Sequence, residues 1–298
     1  MNGATLPAVW VNGRRHAPDA PHVSSRDRGF TLADGVFETM RVAEGTVFRL
    51  DRHLARLAHG MDVLGIGAPR ELRAWVDEGL AGARGEAAMR VTVTRGPGSG
   101  GIAPSRDAFP TVVVALNPMP AFGPEIYDRG LAAHVASGRI NEHSMTAGLK
   151  TLAYTDAVAA LIEARRAGAE EALFLNTSSQ CAEATSSNLF IVAGDALVTP
   201  PLTCGVLPGI TREAVLELAG AAGLAAAERA FGLEDLCAAD EAFLTSSLRG
   251  IAPLVRVGSR AIGSGRPGAV TRRIADAYRA IVEDECRRHA AAGLDRDR

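Results

Sequence analysis

The chain has 298 residues, 47% of them hydrophobic, with a formal net charge of -2. That length has room for two hydrophobic cores, and the near-neutral charge argues against a nucleic-acid binder, which needs a basic excess or stripe. No apolar run approaches the ~20 residues of a membrane helix, and no basic segment leads into an apolar signal core at the N-terminus, so a soluble cytoplasmic protein is expected, with no membrane partner. The four cysteines, Cys181, Cys204, Cys237 and Cys286, are widely spaced, and no His or Cys cluster has metal-ligand spacing. Disulfides and a metal site are therefore not expected.

In chain order, Val9 to Val11 closes on Asn12-Gly13, the strongest short hairpin signal. A polar stretch, Ser24 to Phe30, reads as a loop carrying Arg28. The strand Val36 to Val42 is answered across Glu44-Gly45 by Thr46 to Leu50. The period then changes: Leu50, Leu54, Leu57, Met61 and Leu64 recur at helical spacing, a committed apolar stripe. Arg56 rides on this helix, where a solvated arginine is the ordinary reading. A helix is expected from Pro69 to about Ala81, with proline in the first turn. The strand Met89 to Arg95 alternates, so Arg90, Thr92 and Thr94 share one face. Arg90 is thus a charge on a half-buried strand and needs a partner, with Glu38 or Glu86 the ordinary candidates.

A bare loop, Gly96 to Gly101, precedes a strand from Thr111 to Leu116. Three prolines and a glycine between Asn117 and Pro124 mark the expected break between domains. The expected division is a small α+β domain over 1–116, a linker over 117–126, a larger α/β domain over 127–289 and a disordered tail over 290–298. In the second part, a strand Leu131 to Ala136 and a polar segment lead to Lys150. A helix Leu152 to Ala167 follows, then strands Ala172 to Leu175, Asn188 to Val192 and Ala196 to Val198. A helix from Ile210, a strand Glu241 to Ser247 ending in hydroxyls, and a closing helix from Thr271 to about Arg288 complete the chain.

One oddity of composition singles out Lys150. Lysine and arginine together number 32, and Lys150 is the only lysine. A drift toward arginine explains the other positions and makes the survivor informative. Guanidinium stays protonated at working pH, whereas a buried amine can lose its proton and attack a carbonyl. Lys150 stands in Gly148-Leu149-Lys150-Thr151-Leu152, and after it comes Ala182-Glu183-Ala184-Thr185-Ser186-Ser187-Asn188-Leu189-Phe190. A single carboxylate, Glu183, lies in that second run.

These two runs, with Gly168-Ala169-Glu170-Glu171-Ala172-Leu173 between them and Gly205-Val206-Leu207-Pro208-Gly209-Ile210-Thr211-Arg212 after them, resemble the class IV aminotransferases. The resemblance extends from about Val9 to Val255 and implies a two-domain α+β fold of type IV with pyridoxal 5'-phosphate as cofactor. In that family the site lies between two domains and is completed by a neighbouring subunit, which implies a homodimer. Carried onto this chain, the resemblance makes Lys150 the amine that holds the cofactor's aldehyde and moves the proton. Glu183 becomes the partner of the pyridine nitrogen. Arg56, Ile210, Thr211 and Ser247 become holders of the phosphate, against ordinary readings as a helix cap or surface groups.

The substrate pocket departs from two branches of the family. Familiar D-amino-acid aminotransferases use a tyrosine on the early strand and an arginine and histidine in the glycine loop; here stand Phe37 and Pro97-Gly98-Ser99-Gly100-Gly101. Aminodeoxychorismate lyases usually keep an arginine in that loop, also absent. Ala153 replaces an asparagine common in relatives. Arg28 and Arg90 then form a candidate clamp for a substrate α-carboxylate beside Phe37, as in some atypical D-amino-acid transaminases. The expected activity is transamination between an amino acid, D- by preference, and a 2-oxo acid such as 2-oxoglutarate or pyruvate. Aminodeoxychorismate lyase, or a branched-chain or (R)-amine transaminase, is the alternative.

Overall fold

The structure, a computed structural model, describes residues 6–81, 83–105 and 108–294, with side chains as far as His289. The chain divides into two compact units, Met1–Pro120 with Leu149–Ala153 and Val282–Arg298, and Ala121–Gly148 with Tyr154–Ile281.

The first unit contains β1 (Ala8–Val11), β2 (Arg14–His16), α1 (Arg28–Leu32), β3 (Gly35–Ala43), β4 (Thr46–Val47), α2 (Leu50–Val63), α3 (Leu72–Ala81), β5 (Glu86–Thr94) and β6 (Thr111–Pro118). The strands form one antiparallel sheet in the order β2-β1-β6-β5-β3-β4. One face, with Val36, Met40, Met89, Val91 and Val93, packs with Leu57 and Met61 of α2 and Val76 of α3 into a core. Alternation places Phe37, Arg90 and Thr92 on the other face, as the register Phe37↔Thr92 and Thr39↔Arg90 requires.

Several expectations change here. The stretch carrying Arg28 is a short helix rather than a loop, and Arg28 is buried. Its start is set by Asp27, fully buried, whose Oδ1 accepts from Gly29 N (2.8 Å) while Oδ2 accepts from the hydroxyls of Thr94 (3.0 Å) and Thr111 (2.7 Å). The expected break at Asn117 is still strand: Pro118 pairs opposite Ala87 at the end of β6, where a missing N–H does little harm. Lys150, expected to belong with the second part, lies in a segment of the first unit. The reason is backbone pairing: Phe37 N donates to Lys150 O, and Leu152 N to Gly35 O, both 3.0 Å. The segment adds a short rung to the edge of β3.

The second unit continues with α4 (Glu125–Arg129), β7 (Leu131–Ile140), α5 (Thr155–Arg166), β8 (Glu171–Asn176), β9 (Cys181–Ala184), β10 (Asn188–Ala193) and β11 (Ala196–Thr199). After a 3-10 turn at Leu202–Cys204 come α6 (Ile210–Leu218), β12 (Ala225–Glu228), α7 (Leu233–Ala238), β13 (Glu241–Ser246), β14 (Gly250–Val257), β15 (Arg260–Ala261) and α8 (Ala269–Leu294). The strand order is β12-β11-β10-β13-β14-β7-β8-β9, and β9 pairs back to β10 through Glu183 and Asn188. Six strands thereby close on themselves around Leu173, Leu189, Ile191, Leu244 and Leu254. The polar residues Thr185, Ser186 and Ser187 form the turn of the β9–β10 hairpin, closed by Ala184 N to Ser187 O at 2.8 Å. The helix expected from Leu152 begins at Thr155 because the residues before it pair with β3. Helix α8 runs on to Leu294, so 290–294, expected to be disordered, are helical; 295–298 lie outside the described residues.

Asp27 carries a prediction. Asp27→Ala strands three donors and removes a helix cap, so unfolding free energy should fall by about 2–4 kcal/mol. Asp27→Asn, which keeps an acceptor, should lose less than half of that in urea titration. Equal losses would show that a hydrogen-bond acceptor is not what this site requires.

Candidate active site

Lys150 is half-buried, and its Nζ lies 4.5 Å from the centroid of Phe37. Above the same ring, at 3.6 Å, sits the guanidinium carbon of Arg90. Arg90 also donates from Nε to Thr92 Oγ1 at 3.2 Å, across the face that β3 and β5 share. The carboxylates that the sequence offered to Arg90 go elsewhere: Glu86 pairs with Arg41, and Glu38 with Arg56 and His53. A buried phenylalanine thus has an amine and a guanidinium drawn to its π-system.

Glu38 points from β3 into the core face against α2, where a lone charge would be costly. Two residues of α2 answer it. Arg56 Nε donates to Oε1 (2.7 Å) and Nη2 to Oε2 (2.8 Å), and His53 Nδ1 lies 2.8 Å from Oε2. An ionised carboxylate only accepts, so Nδ1 carries the hydrogen. Burial alone would raise the Glu38 pKa, but the hydrogen bonds from Arg56 and His53 outweigh it and hold it at about 2. Burial pushes the His53 pKa below its ordinary value against the pull of Glu38, leaving the imidazole neutral at pH 7. Arg56 is therefore a fixed, half-hidden cation rather than a solvated one. His53 went unnoticed in the sequence, although its i, i+3 spacing to Arg56 places both on one helix face.

Arg28 has a different setting from the one expected of a clamp. Its Nε donates to Asp34 Oδ2 (2.8 Å), Nη1 to Gly101 O (2.9 Å) and Nη2 to Ile102 O (2.7 Å). Asp34 also accepts from Arg95, at 2.7 and 3.0 Å. Burial tends to raise the Asp34 pKa, and the two arginines bring it below the ordinary value. Arg28 thus holds the glycine loop to α1.

In the second unit, Glu183 Oε2 accepts from Leu207 N (3.0 Å) and from Asn188 Nδ2 (3.0 Å), and the same amide donates to Leu207 O (2.8 Å). Asn188, given no role by the sequence, fixes both the carboxylate and the approach to α6. That helix starts at Gly209 with no side-chain cap, and Ile210 and Thr211 in its first turn are buried. A Cβ on Gly209 would come within 2.0 Å of Asn188 Oδ1, so a side chain there would have to displace the Asn188 amide. Asn188 faces Thr245 across β10 and β13, and the buried Thr245 Oγ1 has no hydrogen-bond partner among the described residues. Ser247 follows in the turn from β13 to β14.

Within each unit, taken by itself, the residues suit a different part of pyridoxal 5'-phosphate. The second unit offers a carboxylate for a protonated ring nitrogen, and an uncapped helix start with a nearby unpaired hydroxyl suits a phosphate. The first unit offers the amine and the cation Arg56.

The Glu38 cluster generates a pH prediction. Its folded-state pKa of about 2 lies below the ordinary 4.5, so its contribution is complete above pH 4.5 and fades as pH falls toward 2. At pH 7 Glu38→Gln should cost on the order of 3 kcal/mol. Depression of the His53 pKa acts in the same direction, stability falling as pH drops below 6.5. Urea unfolding of both proteins from pH 7 to pH 3 should show the gap narrowing with acid; a constant gap would refute the assignment.

Comparison with known proteins covers nearly the whole chain. The model of the family described as amino-transferase class IV matches residues 35–257. A Methanocaldococcus jannaschii protein, named provisionally as a branched-chain-amino-acid aminotransferase, is 33% identical over 92% of this chain and 96% of its own. D-alanine aminotransferase of Bacillus licheniformis is 30% identical over 93% and 98%. Among solved structures, 4-amino-4-deoxychorismate lyase of Pseudomonas aeruginosa superimposes with a TM-score of 0.82 at 34% identity, covering 91% of this chain and 98% of that one. Related aminotransferases have been solved bound to pyridoxal phosphate or pyridoxamine phosphate. With the family model matching well over half of its residues, this chain belongs to the class IV aminotransferases, enzymes of fold type IV.

Proposed function

We propose that the protein is a pyridoxal-phosphate transaminase that takes its amino group from an amino acid, D-amino acids by preference, and passes it to a 2-oxo acid such as 2-oxoglutarate or pyruvate. The observation that carries this reading is Arg90 stacked on Phe37 beside Lys150. A guanidinium fixed by its face and by Nε presents an edge suited to a carboxylate. Preference for D donors is supported by the resemblance to atypical D-amino-acid transaminases and by the relation to D-alanine aminotransferase. In this reading the clamp rests on Arg90, with Arg28 holding the glycine loop.

When bound, the cofactor supplies an aldehyde and an electron sink. Lys150 would hold the aldehyde and, once released, carry the proton to and from the substrate's Cα. Glu183, steadied by Asn188 and Leu207 N, would keep the ring nitrogen protonated. Ile210, Thr211 and Ser247 would hold the phosphate, with Arg56 as the cation. Relation to the 4-amino-4-deoxychorismate lyase supports the second reading, in which turnover needs no 2-oxo acid. Titrating the holoenzyme with D- and L-amino acids separates the two: a transaminase converts its cofactor to the amino form once, then waits for an acceptor.

Borohydride should fix the cofactor on Lys150, and peptide mapping should recover the label there alone; Lys150→Ala should lose both label and turnover. Arg90→Ile should weaken amino-acid substrates by about 10- to 150-fold, the loss of one charge-assisted contact. Any activity toward primary amines without a carboxylate should be spared. Equal slowing of amines and amino acids would make Arg90 a structural residue.

A further inference from the structure

Tyr278, on α8, lies beside both elements to which the phosphate is assigned. Its hydroxyl lies 3.2 Å from Thr211 Oγ1, in the first turn of α6, and both residues are buried. Its ring lies on the side of Gly250 where a side chain would project, and Gly250 follows the turn carrying Ser247. A Cβ on Gly250 would lie 3.6 Å from Cε1 of that ring, and the glycine's φ of +70° is one that other residues rarely adopt. Gly250 pairs with Ser246 across β13 and β14, so the ring lies beside the foot of that turn.

We propose that Tyr278 is a positioning residue for the cofactor's phosphate, orienting the Thr211 hydroxyl and bracing the Ser247 turn. This rests on the reading that Thr211 holds the phosphate. A threonine hydroxyl has one proton and can both donate and accept. Beside an anion that proton must point at the anion, so the hydroxyl's lone pairs are left to accept from elsewhere. A tyrosine O–H, at 3.2 Å, can supply that second hydrogen. Donation from Tyr278 then selects the Thr211 rotor that serves the phosphate, and each bond polarises the next. With phenylalanine at 278 the ring and its packing would remain, but the threonine proton could turn away.

The test is equilibrium binding of pyridoxal phosphate, and of pyridoxal, to the full-length protein and its variants. Tyr278→Phe should weaken pyridoxal phosphate by about 3- to 10-fold, the range of one neutral hydrogen bond, and leave pyridoxal unchanged. In a Thr211→Val background it should add nothing, whereas in Thr211→Ser, which keeps the hydroxyl, the effect should persist. Melting of the cofactor-free Tyr278→Phe protein controls for folding. Equal weakening of both ligands, or an undiminished effect beside Thr211→Val, would overturn the proposal while leaving the role of Thr211 intact. If Thr211→Val binds pyridoxal phosphate as tightly as the parent, the reading of Thr211 fails, and the role of Tyr278 with it.

Discussion

Two backbone hydrogen bonds decide where the only lysine stands. Phe37 N to Lys150 O and Leu152 N to Gly35 O lay residues 150–152 along the edge of β3, so the amine is held by a strand and not by a free loop. A reactive group built on a regular element is located more sharply than one on a connection. Glycines make the pairing possible. Gly148, with φ +74°, turns the chain into the rung, and a Cβ on Gly35 would come within 2.5 Å of Val93 O and 2.9 Å of a Leu152 methyl. From this the neighbourhood of Lys150 follows, because its bonded partner in the sheet is Phe37 and the strand beyond that is the one bearing Arg90.

Two carboxylates near this rung each answer more than one basic group. Glu38 serves Arg56 and His53, and Asp34 serves Arg28 and Arg95. Arginine suits such sites because its planar fork donates to two acceptors at once and never loses its charge. Such clusters contribute less net stability than their short distances suggest, since an apolar group of like shape avoids the desolvation cost. What they do provide is a fixed rotamer. Arg56 is held by two bonds to a residue of the neighbouring strand, and Arg28 ties the carbonyls of Gly101 and Ile102 to α1. The chain can therefore carry arginine at almost every basic position and still require an amine at one.

How much of this was legible depended on the range of each signal. The hydrophobic periods placed β3, β5, α2 and α5 to within a few residues, because each buries a regular face. Composition made Lys150 conspicuous, and the polar run around Glu183 was visible because apolar strands flank it. Short-range chemistry was readable but unread: His53 and Arg56 share a helix face, and Asp27 is an N-cap two residues before a glycine. Long-range pairing left no trace in spacing. Nothing near Lys150 says that its segment will pair with a strand more than a hundred residues earlier, and nothing near Tyr278 points to Thr211. Glu38 was weighed as a partner of Arg90, yet on a strand the two lie on opposite faces, which the register Thr39↔Arg90 makes plain.

A phenylalanine rather than a tyrosine at position 37 then has a physical meaning. A phenol can donate a hydrogen bond to a carboxylate and a phenyl ring cannot, but the ring face can hold a guanidinium that donates in its place. On the proposed reading, Phe37 shifts the donor from the ring to Arg90, stacked 3.6 Å above it. Arg90 and Lys150 are then referenced to one rigid, buried side chain, at 3.6 and 4.5 Å from its centroid. That shared reference matters for the chemistry, because an α-carboxylate is one bond from the carbon whose proton the amine must move. Fixing the cation that holds the carboxylate against the same ring as the amine limits how far that carbon can wander from Nζ, and misplacement of about an ångström can cost a hundredfold in rate. Arg28, by contrast, gives three of its five N–H donors to a carboxylate and two carbonyls that hold the glycine loop.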